Sequence, residues 1–409
     1  MEEKRVMVVR EFDPQKDCKG VEDVERRCEV GSPGKMSLFT NLLGDPISRI
    51  RHSPAFLMLV AEMGPEKEIT GMIRGCIKTV TCGKKLATSG KAHNDSIKVT
   101  PICTKLAYIL GLRVSPSHRR MGIGLKLVRQ MEEWFISNGA EYSYMATESD
   151  NTASLNLFTQ RCSYTEFRTP SILVQPVFAH RVKLPNRVTI IKLTTSDSES
   201  LYRRRFSSTE FFPGDINRIL NNKLNLGTHI AVPAESCSAE SWPGVDRFLS
   251  DPPESWAVMS VWNSKEVFTL QVKGASRARK LAVQTTRVVD RALPWCNIPS
   301  LPEVFRPFGL LFLYGLGGEG PRAERMVKAL CDHAHNLARE SGCGVVVTEV
   351  ASQEPLRFAI PHWKRLSCAK DVWCIKRLME GYGDGPIGDW SKSSSWPVYL
   401  CRPKRVLNR

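Results

Sequence analysis

The segment Arg119-Arg120-Met121-Gly122-Ile123-Gly124 has the residue types and spacing of an anion site. An apolar run ending at Val114 precedes it, and a run with apolar residues at helical spacing follows it from Leu125 to Asn138, so it is predicted to join a strand to a helix. Glycines let the backbone approach phosphate oxygens, and the free N–H groups and dipole of a first helical turn hold negative charge. The segment therefore predicts a binding site for a phosphate-bearing ligand.

Two common phosphate-binding folds do not fit this segment. A P-loop requires Gly-Lys followed by Ser or Thr, which the segment lacks. A dinucleotide-binding fold would place its glycines in a βαβ unit at the start of the sheet, whereas several strands of antiparallel type are predicted before Arg119.

Two carboxylates lie beyond the predicted helix, in an acidic stretch. From Gly71 to Gln130 the chain has 12 basic residues and one acid, whereas from Met131 to Asp150 it has five acids and no base. Glu148 and Asp150 close a predicted strand there, where they would attract an ammonium group or accept its proton through water. A structural role at the strand end and the cap of the next helix remains open.

The elements around these residues predict a mixed fold. The first half is predicted to run β-α-α-β-β-β-α-β-α-β. Phe56–Glu62 and Ile69–Val80 are predicted to pair antiparallel, Ser37–Leu43 to form a short helix, and Thr81–Pro101 to be a polar, mobile connection. Tyr142–Thr147 is predicted to be the strand that ends at the carboxylates.

A similar order of elements returns after a linker near His180–Asn186. It predicts a tandem repeat with units 1–180 and 187–409, although two α/β domains that merely share common elements remain an alternative. Trp256–Trp262 and Phe268–Gly274 are predicted to form a hairpin, and the basic, Pro-rich stretch after them is predicted to be irregular.

The second half has its own glycine pattern. Gly315-x-x-Gly318-x-Gly320 keeps the spacing, but Gly315 stands where the first copy has Arg119, and Glu319 would repel a phosphate. This copy is therefore predicted to be degenerate, bracing the first domain or recognising a partner.

Several segments together resemble known acetyltransferases. The preceding strand, Arg119–Gly124 and the later Asn151-x-x-Ser154-x-x-Leu157-Phe158 resemble the acetyl-coenzyme A motif of the GNAT superfamily of N-acetyltransferases, over roughly residues 1–175. Val21–Val30, Thr169–Val174 and Tyr314–Arg322 resemble the plant hookless family, and that match spans essentially the whole chain. The resemblance implies an α/β (α+β) fold: a GNAT-like mixed sheet flanked by helices, in tandem with a degenerate second GNAT-like domain.

The resemblance also implies the ligand, acetyl-coenzyme A (acetyl-CoA). The backbone of Leu112–Val114 would pair with its pantetheine arm, and a backbone N–H near Leu112 would stabilise the oxyanion. The amine would attack where the strands ending at Val114 and Thr147 diverge. The residues predicted to bind the cofactor are Leu112, Arg113, Val114, Arg119, Arg120, Met121, Gly122, Ile123, Gly124 and Asn151.

The sequence departs from the GNAT pattern at the catalytic acid. GNAT enzymes often have a tyrosine at the position of Phe158, and counting back from Tyr164 reaches Thr159 instead because one residue is extra. Tyr164 is the remaining candidate proton donor, with a core aromatic as its alternative. The candidate catalytic residues are thus Glu148, Asp150 and Tyr164. Acetylation of an amine is predicted, and a non-catalytic regulator that binds acetyl-CoA and acts through protein or chromatin partners is the alternative.

Composition limits the partners. A net charge of +16 suggests the hypothesis of a nucleic-acid-binding protein. The basic clusters Arg203–Arg205 and Arg277–Lys280 lack interleaved aromatic residues, however, so direct nucleic-acid binding is not expected. Cys331, His333 and His335 lie on a predicted helix, where position i+2 points away, so no metal site is expected. The acetyl acceptor is predicted to be a protein lysine, such as one of a histone, or a small amine.

Cysteine usage and hydropathy bear on location. An odd count of 13 cysteines without a CxxC pair predicts reduced thiols in an intracellular protein, in the nucleus or cytoplasm. No uninterrupted apolar stretch approaches 18 residues, so no membrane span is expected. The hookless resemblance adds an expected role in ethylene-responsive, auxin-connected differential growth of the seedling apical hook.

Overall fold

The computed structural model describes residues 7–28, 36–88, 98–236, 242–368, 371–379 and 388–393. Two mixed sheets flanked by helices confirm the predicted α/β (α+β) class. In chain order the strands are β1 Met7–Glu11, β2 Ser37–Asn41, β3 Ala55–Met63, β4 Glu68–Thr88, β5 Lys98–Val114, β6 Tyr142–Glu148, β7 Thr165–Arg168, β8 Ser171–Pro176, β9 Val188–Leu193, β10 Asn225–Pro233, β11 Trp256–Asn263, β12 Thr269–Lys273, β13 Gly309–Glu319, β14 Cys343–Val350 and β15 Asp371–Arg377. The helices are α1 Cys18–Arg27, α2 Ile123–Ser137, α3 Thr152–Asn156, α4 Thr195–Phe206, α5 Ile216–Leu220, α6 Val245–Ser250, α7 Arg277–Ala292 and α8 Ala323–Glu340.

The first sheet has seven strands in the order β1-β3-β4-β5-β6-β15-β7. Its strands pair antiparallel except for β5 and β6, which pair in parallel. Helix α1 packs Val21 and Val24 on one face, and α2 packs Leu127, Met131 and Phe135 on the other. The predicted antiparallel pair β3–β4 and the predicted strand, loop and helix from β5 to α2 are confirmed.

The second sheet has six strands in the order β8-β14-β13-β11-β10-β9. Its parallel pair is β13 and β14, and α8 connects them as α2 connects β5 and β6. Met326 and Leu330 of α8 pack on one face, and Leu201 of α4 and Ile216 of α5 pack on the other. This recurrence of element order and pairing confirms the predicted tandem repeat.

The two halves exchange strands. β8 follows β7 along the chain but pairs with β14 in the second sheet, whereas β15 comes from the second half and inserts between β6 and β7. A two-stranded ribbon of β2 and β12 joins the halves again. Each sheet therefore contains a strand from beyond the linker, and the division into 1–180 and 187–409 stays a prediction.

Some local predictions are wrong because distant pairing decided the structure. Ser37–Leu43 is not a helix, since its residues form β2 and pair with β12. β11 and β12 are not a hairpin, since β11 lies between β10 and β13. The stretch predicted to be irregular contains α7. β4 and β5 extend into the connection predicted for Thr81–Pro101, of which residues 89–97 lie outside the described residues. Glu29 and Val30, at the end of the segment Val21–Val30 that resembles the hookless family, also lie outside them.

Candidate active site

The parallel strands of the first sheet diverge beside the glycine segment. The parallel pairing of β5 and β6 joins Leu106–Ile109 to Tyr142–Met145 and then ends. Leu110–Val114 and Ala146–Glu148 continue as strands without pairing with each other. A wedge-shaped opening therefore lies between the ends of β5 and β6.

A β-bulge at Gly111 shapes β5 at this opening. The register of β5 on β4 gains one residue between Leu110 and Arg113. Gly111 has φ +63°, and a Cβ there would lie 2.5 Å from Nη1 of Arg74, so both backbone and space require glycine. The bulge leaves Leu112 packed on the α2 face and Arg113 on the α1 face.

Backbone N–H groups are available in the segment after β5. Pro116–His118 form one 3-10 turn, Arg120 has φ +66°, and Gly122 with φ +81° is the N-cap of α2. Among the described residues, no backbone carbonyl accepts from the N–H groups of Arg119–Gly122, and the first N–H groups of α2 point out of its free end. The arrangement suits an anion.

Leu157, directly after α3, lies beside Gly124 in the first turn of α2. A Cβ at Gly124 would lie 3.4 Å from Cδ2 of Leu157, an ordinary contact, so the fold itself tolerates a side chain there. Asn151 caps α3 by accepting from the N–H of Ser154 at 3.2 Å, and its Nδ2 donates to Oγ1 of Thr147 at 3.0 Å. Asn151 thus ties the end of β6 to α3.

Buried charges support the bulge on the α1 face. Glu25 accepts from Nη1 of Arg74 at 2.9 Å and from Nε of Arg113 at 3.3 Å. Burial raises the pKa of Glu25, but the charges of Arg74 and Arg113 outweigh it and the net pKa is lowered. Burial, with the charge of Arg74, also lowers the pKa of Arg49 to about 10. Glu25 and the three arginines form a cluster with more cations than carboxylates. Its ion pairs hold β5 in place where it diverges from β6.

Glu148 and Asp150 have different environments after β6. Glu148 is half-buried, lies opposite Asp371 in the register with β15, and its backbone oxygen accepts from the N–H of Asn151 at 3.1 Å. Asp150 is exposed, and its backbone oxygen accepts from the N–H of Thr152 at 2.9 Å. Glu148 is therefore at the opening, whereas Asp150 lies in the turn that enters α3.

Comparison with known proteins settles the family. Residues 27–164 match the family model described as the Acetyltransferase (GNAT) family. Two Arabidopsis thaliana proteins are each 67% identical: Probable N-acetyltransferase HLS1-like, covering 97% of this chain and 98% of its own, and Probable N-acetyltransferase HLS1, covering 94% and 96%. The chain belongs to the hookless-like N-acetyltransferases of the GNAT family. Acetyl transferase GW6a of Oryza sativa is a more distant relative, 38% identical over 94% of this chain and 93% of its own.

Solved structures share the fold of this hookless-like protein at low identity. The N-myristoyltransferase of Saccharomyces cerevisiae with bound myristoyl-CoA matches 92% of this chain and 81% of its own, with a TM-score of 0.54 and 10% identity. At that identity the match concerns the fold alone.

The hookless-like chain keeps Tyr164 in its core. Tyr164 is 2% exposed, its hydroxyl donates to Oγ of Ser143 at 2.9 Å, and its ring packs edge-on against Phe158. Burial raises the pKa of this phenol well above its ordinary value. Ser143 pairs with Ala107, where β5 and β6 are still joined. The geometry therefore favours the core role of Tyr164 over that of proton donor.

The extra residue before Tyr164 is accommodated in a π turn. Leu157–Arg161 form this turn directly after α3, and a π turn accommodates one residue more than an α-helical turn. Phe158 is buried, and Oγ1 of Thr159 donates to the backbone oxygen of Leu155 at 2.8 Å. Neither position presents a phenol to the opening.

The second sheet repeats the opening. Gly309–Leu313 of β13 pair in parallel with Cys343–Thr348 of β14, and the pairing then ends. The register of β13 on β11 shifts around Gly315, which has φ +61°. Gly315 therefore corresponds to Gly111. Its predicted alignment with Arg119 is wrong, because the glycine pattern begins inside a strand rather than in a loop.

The surroundings of the second opening are crowded by the protein's own side chains and leave less room for an anion. The Phe206 ring packs so tightly beside β13 that a Cβ at Gly317 would lie 2.5 Å from it. At the first turn of α8, the backbone N–H of Arg322 donates to Oγ of Ser255 at 3.0 Å. The Arg322 guanidinium pairs with Glu235 at 3.0 Å and Glu254 at 3.2 Å. An anionic ligand would meet two carboxylates and an already occupied N–H group.

Sequence reasoning assigned no role to Glu25 or Arg74. The available signal was an arginine inside the apolar run Ile69–Val80, because such a charge is seldom buried without a partner.

Within the described ranges, no helix combines the length and apolarity needed to cross a membrane. In that same part of the chain, no group of three or more His, Cys, Asp or Glu side chains is placed to hold a metal.

Proposed function

We propose that this protein transfers the acetyl group of acetyl-CoA to an amine, and that the first half alone holds acetyl-CoA. The observation that carries the proposal is the set of available N–H groups at Arg119–Gly122, beside the opening between β5 and β6. In the second half, Phe206 packs tightly against Gly317 of β13, and the N–H of Arg322 at the first turn of α8 is already bonded to Ser255. Membership of the GNAT family supports the class of donor.

The proposed contacts use mainly the backbone. Leu112–Val114 would pair with the pantetheine arm along the edge of β5 that faces the opening. The N–H groups of Arg119–Gly124 would hold the pyrophosphate. Arg119, whose Nε lies 3.4 Å from the backbone oxygen of Val114, would remain beside it, and Asn151 would act as a positioning residue through α3.

Acetyl-CoA supplies a thioester carbonyl to which an amine can add. The nitrogen attacks the carbonyl carbon, the carbon–sulfur bond breaks, and the thiolate of coenzyme A leaves. A backbone N–H near Leu112 would stabilise the oxyanion, an effect worth about 10²–10³-fold in rate. Glu148 would accept the proton of the ammonium group through a water molecule.

Tyr164 is buried in the core, and Phe158 and Thr159 carry no phenol, so the proposal assigns no tyrosine to protonate the leaving thiolate. A thiol has a pKa of about 8.5, so a thiolate leaves without a proton far more readily than an alkoxide does. A positioned general acid contributes about 10²–10⁴-fold. We therefore expect turnover slower by about that factor than with a tyrosine donor, rather than no turnover.

A non-catalytic regulator is the second candidate, and the burial of Tyr164 together with Phe158 favours it. Such a regulator would bind acetyl-CoA with the same residues and act through protein or chromatin partners. For the enzyme, a histone lysine or a small amine remains the proposed acceptor. The nucleus or cytoplasm remains the proposed location, and ethylene- and auxin-linked growth the proposed biological role.

An isotope-transfer assay separates the two candidates. Acetyl-labelled acetyl-CoA is incubated with a panel of lysine peptides and free amines. The enzyme proposal predicts labelled amide with the wild-type protein and none above background with Gly124→Glu. Saturable binding of acetyl-CoA with no transfer to any acceptor would contradict the enzyme proposal and support the regulator.

A further inference from the structure

Helix α7 and the turn after it direct apolar side chains into solvent. Among the described residues, six of the thirteen exposed large apolar side chains lie in this one stretch: Leu281, Val288, Val289, Leu293, Trp295 and Ile298. Leu281 and Val288 are each 63% exposed, and Trp295, in the 3-10 turn directly after α7, is 71% exposed. Single exposed apolar residues are ordinary, but a contiguous group of them is typical of a binding surface.

The exposed apolar residues of α7 follow a heptad pattern. Its a and d positions alternate at spacings of three and four residues, and all five are exposed: Ala278, Leu281, Thr285, Val288 and Ala292. A seam of this spacing is the surface that one helix presents to another in a coiled coil. The short side chains of Ala278, Thr285 and Ala292 would let a second helix approach closely.

The protein holds α7 by the side opposite to this seam. Val283 and Asp290, both at position f, are the residues of α7 that are buried. Nδ1 of His180 donates to Oδ1 of Asp290 at 2.6 Å, and Nη1 of Arg287 donates to the backbone oxygen of Val177 at 3.1 Å. Position f lies opposite to a and d on a helix. The helix is therefore anchored with its seam facing away from the rest of the molecule.

Basic residues border one edge of the seam. The g positions are Arg277, Gln284 and Arg291, whereas the e positions on the other edge are Ala282 and Val289. Both arginines are exposed, and neither makes an ion pair with another described residue. The one acidic residue of α7 is at position f and faces the protein. The exposed side of the helix is therefore apolar along the seam and positive along one edge.

This charge pattern distinguishes among the possible occupants of the seam. A second α7 would place Arg277 and Arg291 against arginines in an antiparallel pair and against Ala282 and Val289 in a parallel pair, so no ion pair would form. Residues 394–409 of this chain have four basic residues and no acid, so they lack a complementary charge too. A helix bound in an anionic membrane meets headgroups along both edges, whereas only one edge of α7 is basic.

We propose that α7 is a docking surface for an acidic amphipathic helix of a partner protein. Apolar residues at a and d of the partner helix would pack on Leu281 and Val288. Glutamate or aspartate residues along one edge of it would pair with Arg277 and Arg291. The inference goes beyond the proposed function and does not depend on it, because α7 contributes no residue to the acetyl-CoA site. It gives the second half a role in recognition.

A synthetic peptide of three heptads serves as the probe for this surface. It has Leu at a and d, Glu at e and g, and a fluorescent label, and repulsion between its glutamates opposes pairing with itself. A second peptide has Lys in place of each Glu. Fluorescence anisotropy with the full chain measures the binding of each peptide. The proposal predicts saturable binding of the Glu peptide and none of the Lys peptide.

The apolar part of the surface is tested with the double variant Leu281→Gln/Val288→Gln. Both side chains are exposed, so the variant should fold, and it should bind the Glu peptide at least tenfold more weakly. Ile136→Gln replaces a side chain that is 44% exposed on α2. This control should bind the peptide as the wild type does.

The basic edge is tested by charge reversal. Arg277→Glu/Arg291→Glu should bind the Glu peptide at least tenfold more weakly and should gain binding of the Lys peptide. Arg247→Glu/Arg325→Glu makes the same change of net charge at exposed residues of α6 and α8. It should bind as the wild type does, which separates the edge of α7 from general attraction to a chain of net charge +16.

Three results would overturn the proposal. The first is no saturable binding of the Glu peptide by the folded wild type. The second is an equal loss of binding in the two charge-reversal variants. The third is failure to bind the Glu peptide together with binding to phosphatidylserine vesicles, or with dimerisation of the chain, that Leu281→Gln/Val288→Gln abolishes. That result would assign the surface to a membrane or to a second copy.

Discussion

Gly111 and Gly315 occupy the same structural position in the two halves of the molecule. They have φ angles of +63° and +61°, and each lies in a bulge two residues beyond the last residue that pairs in parallel, Ile109 and Leu313. The repeat has therefore kept the geometry that opens the sheet. Only the surroundings differ: the first opening adjoins available N–H groups, whereas Phe206 packs against the second.

Gly111→Ala should destabilise the protein. Its φ is unfavourable for a side chain, and a Cβ would displace Arg74 from a buried ion pair. Strain of this kind costs about 1–3 kcal/mol. Urea unfolding measures the loss, with Gly124→Ala as a control that meets only ordinary contacts. Equal stability of Gly111→Ala and the wild type would contradict the bulge as described.

Glu25→Gln should destabilise by about 3–5 kcal/mol near pH 7, because it leaves the buried charge of Arg74 uncompensated. The folded pKa of Glu25 is depressed, so its contribution is present above the unfolded pKa of about 4.3 and is lost as the pH falls through the folded value. The stability difference between wild type and Glu25→Gln should therefore shrink below about pH 4. A difference that stays constant from pH 7 to pH 3 would show that Glu25 is not the titrating partner.

Tyr164→Phe should leave acetyl transfer unchanged. The hydroxyl donates to Ser143 in the core, so the variant should lose about 1 kcal/mol of stability and nothing else. Steady-state rates and thermal unfolding measure the two effects. A folded variant with turnover reduced 100-fold would restore Tyr164 as the catalytic acid.

Glu148→Gln and Asp150→Asn should differ in their effect on transfer. Glu148 ends β6 at the opening, whereas Asp150 is exposed in the next turn. Removing a proton acceptor costs about 10²–10⁴-fold, so Glu148→Gln should lower kcat by at least 100-fold and Asp150→Asn by less than threefold. The loss for Glu148→Gln should diminish at high pH, where free amine is already present. Similar rates for both variants would remove Glu148 from the mechanism.

Local patterns predicted the strand, loop and helix around Arg119–Gly124, because the glycines and the apolar periodicity lie in one continuous stretch. The exchange of β8 and β15 could not be predicted this way, since Ser171–Pro176 has the same strand pattern whichever sheet it joins. Ser37–Asn41 similarly became a strand through pairing with Thr269–Lys273, more than 200 residues away. The buried pair of Glu25 and Arg74 depended on such long-range packing too.

The most direct test of the central claim is calorimetry of acetyl-CoA binding to the wild type, Gly124→Glu and Gln284→Glu. The Cβ of a glutamate at Gly124 meets only ordinary contacts, and its charge favours a helix N-terminus by about 0.3–1 kcal/mol, so the variant should fold while its carboxylate repels the pyrophosphate. Gln284→Glu makes the same charge change on α7, distant from the site. Saturable binding by the wild type and Gln284→Glu, with at least a 100-fold loss in folded Gly124→Glu, is the predicted result. Equal affinity of all three proteins, or binding by none, would contradict it.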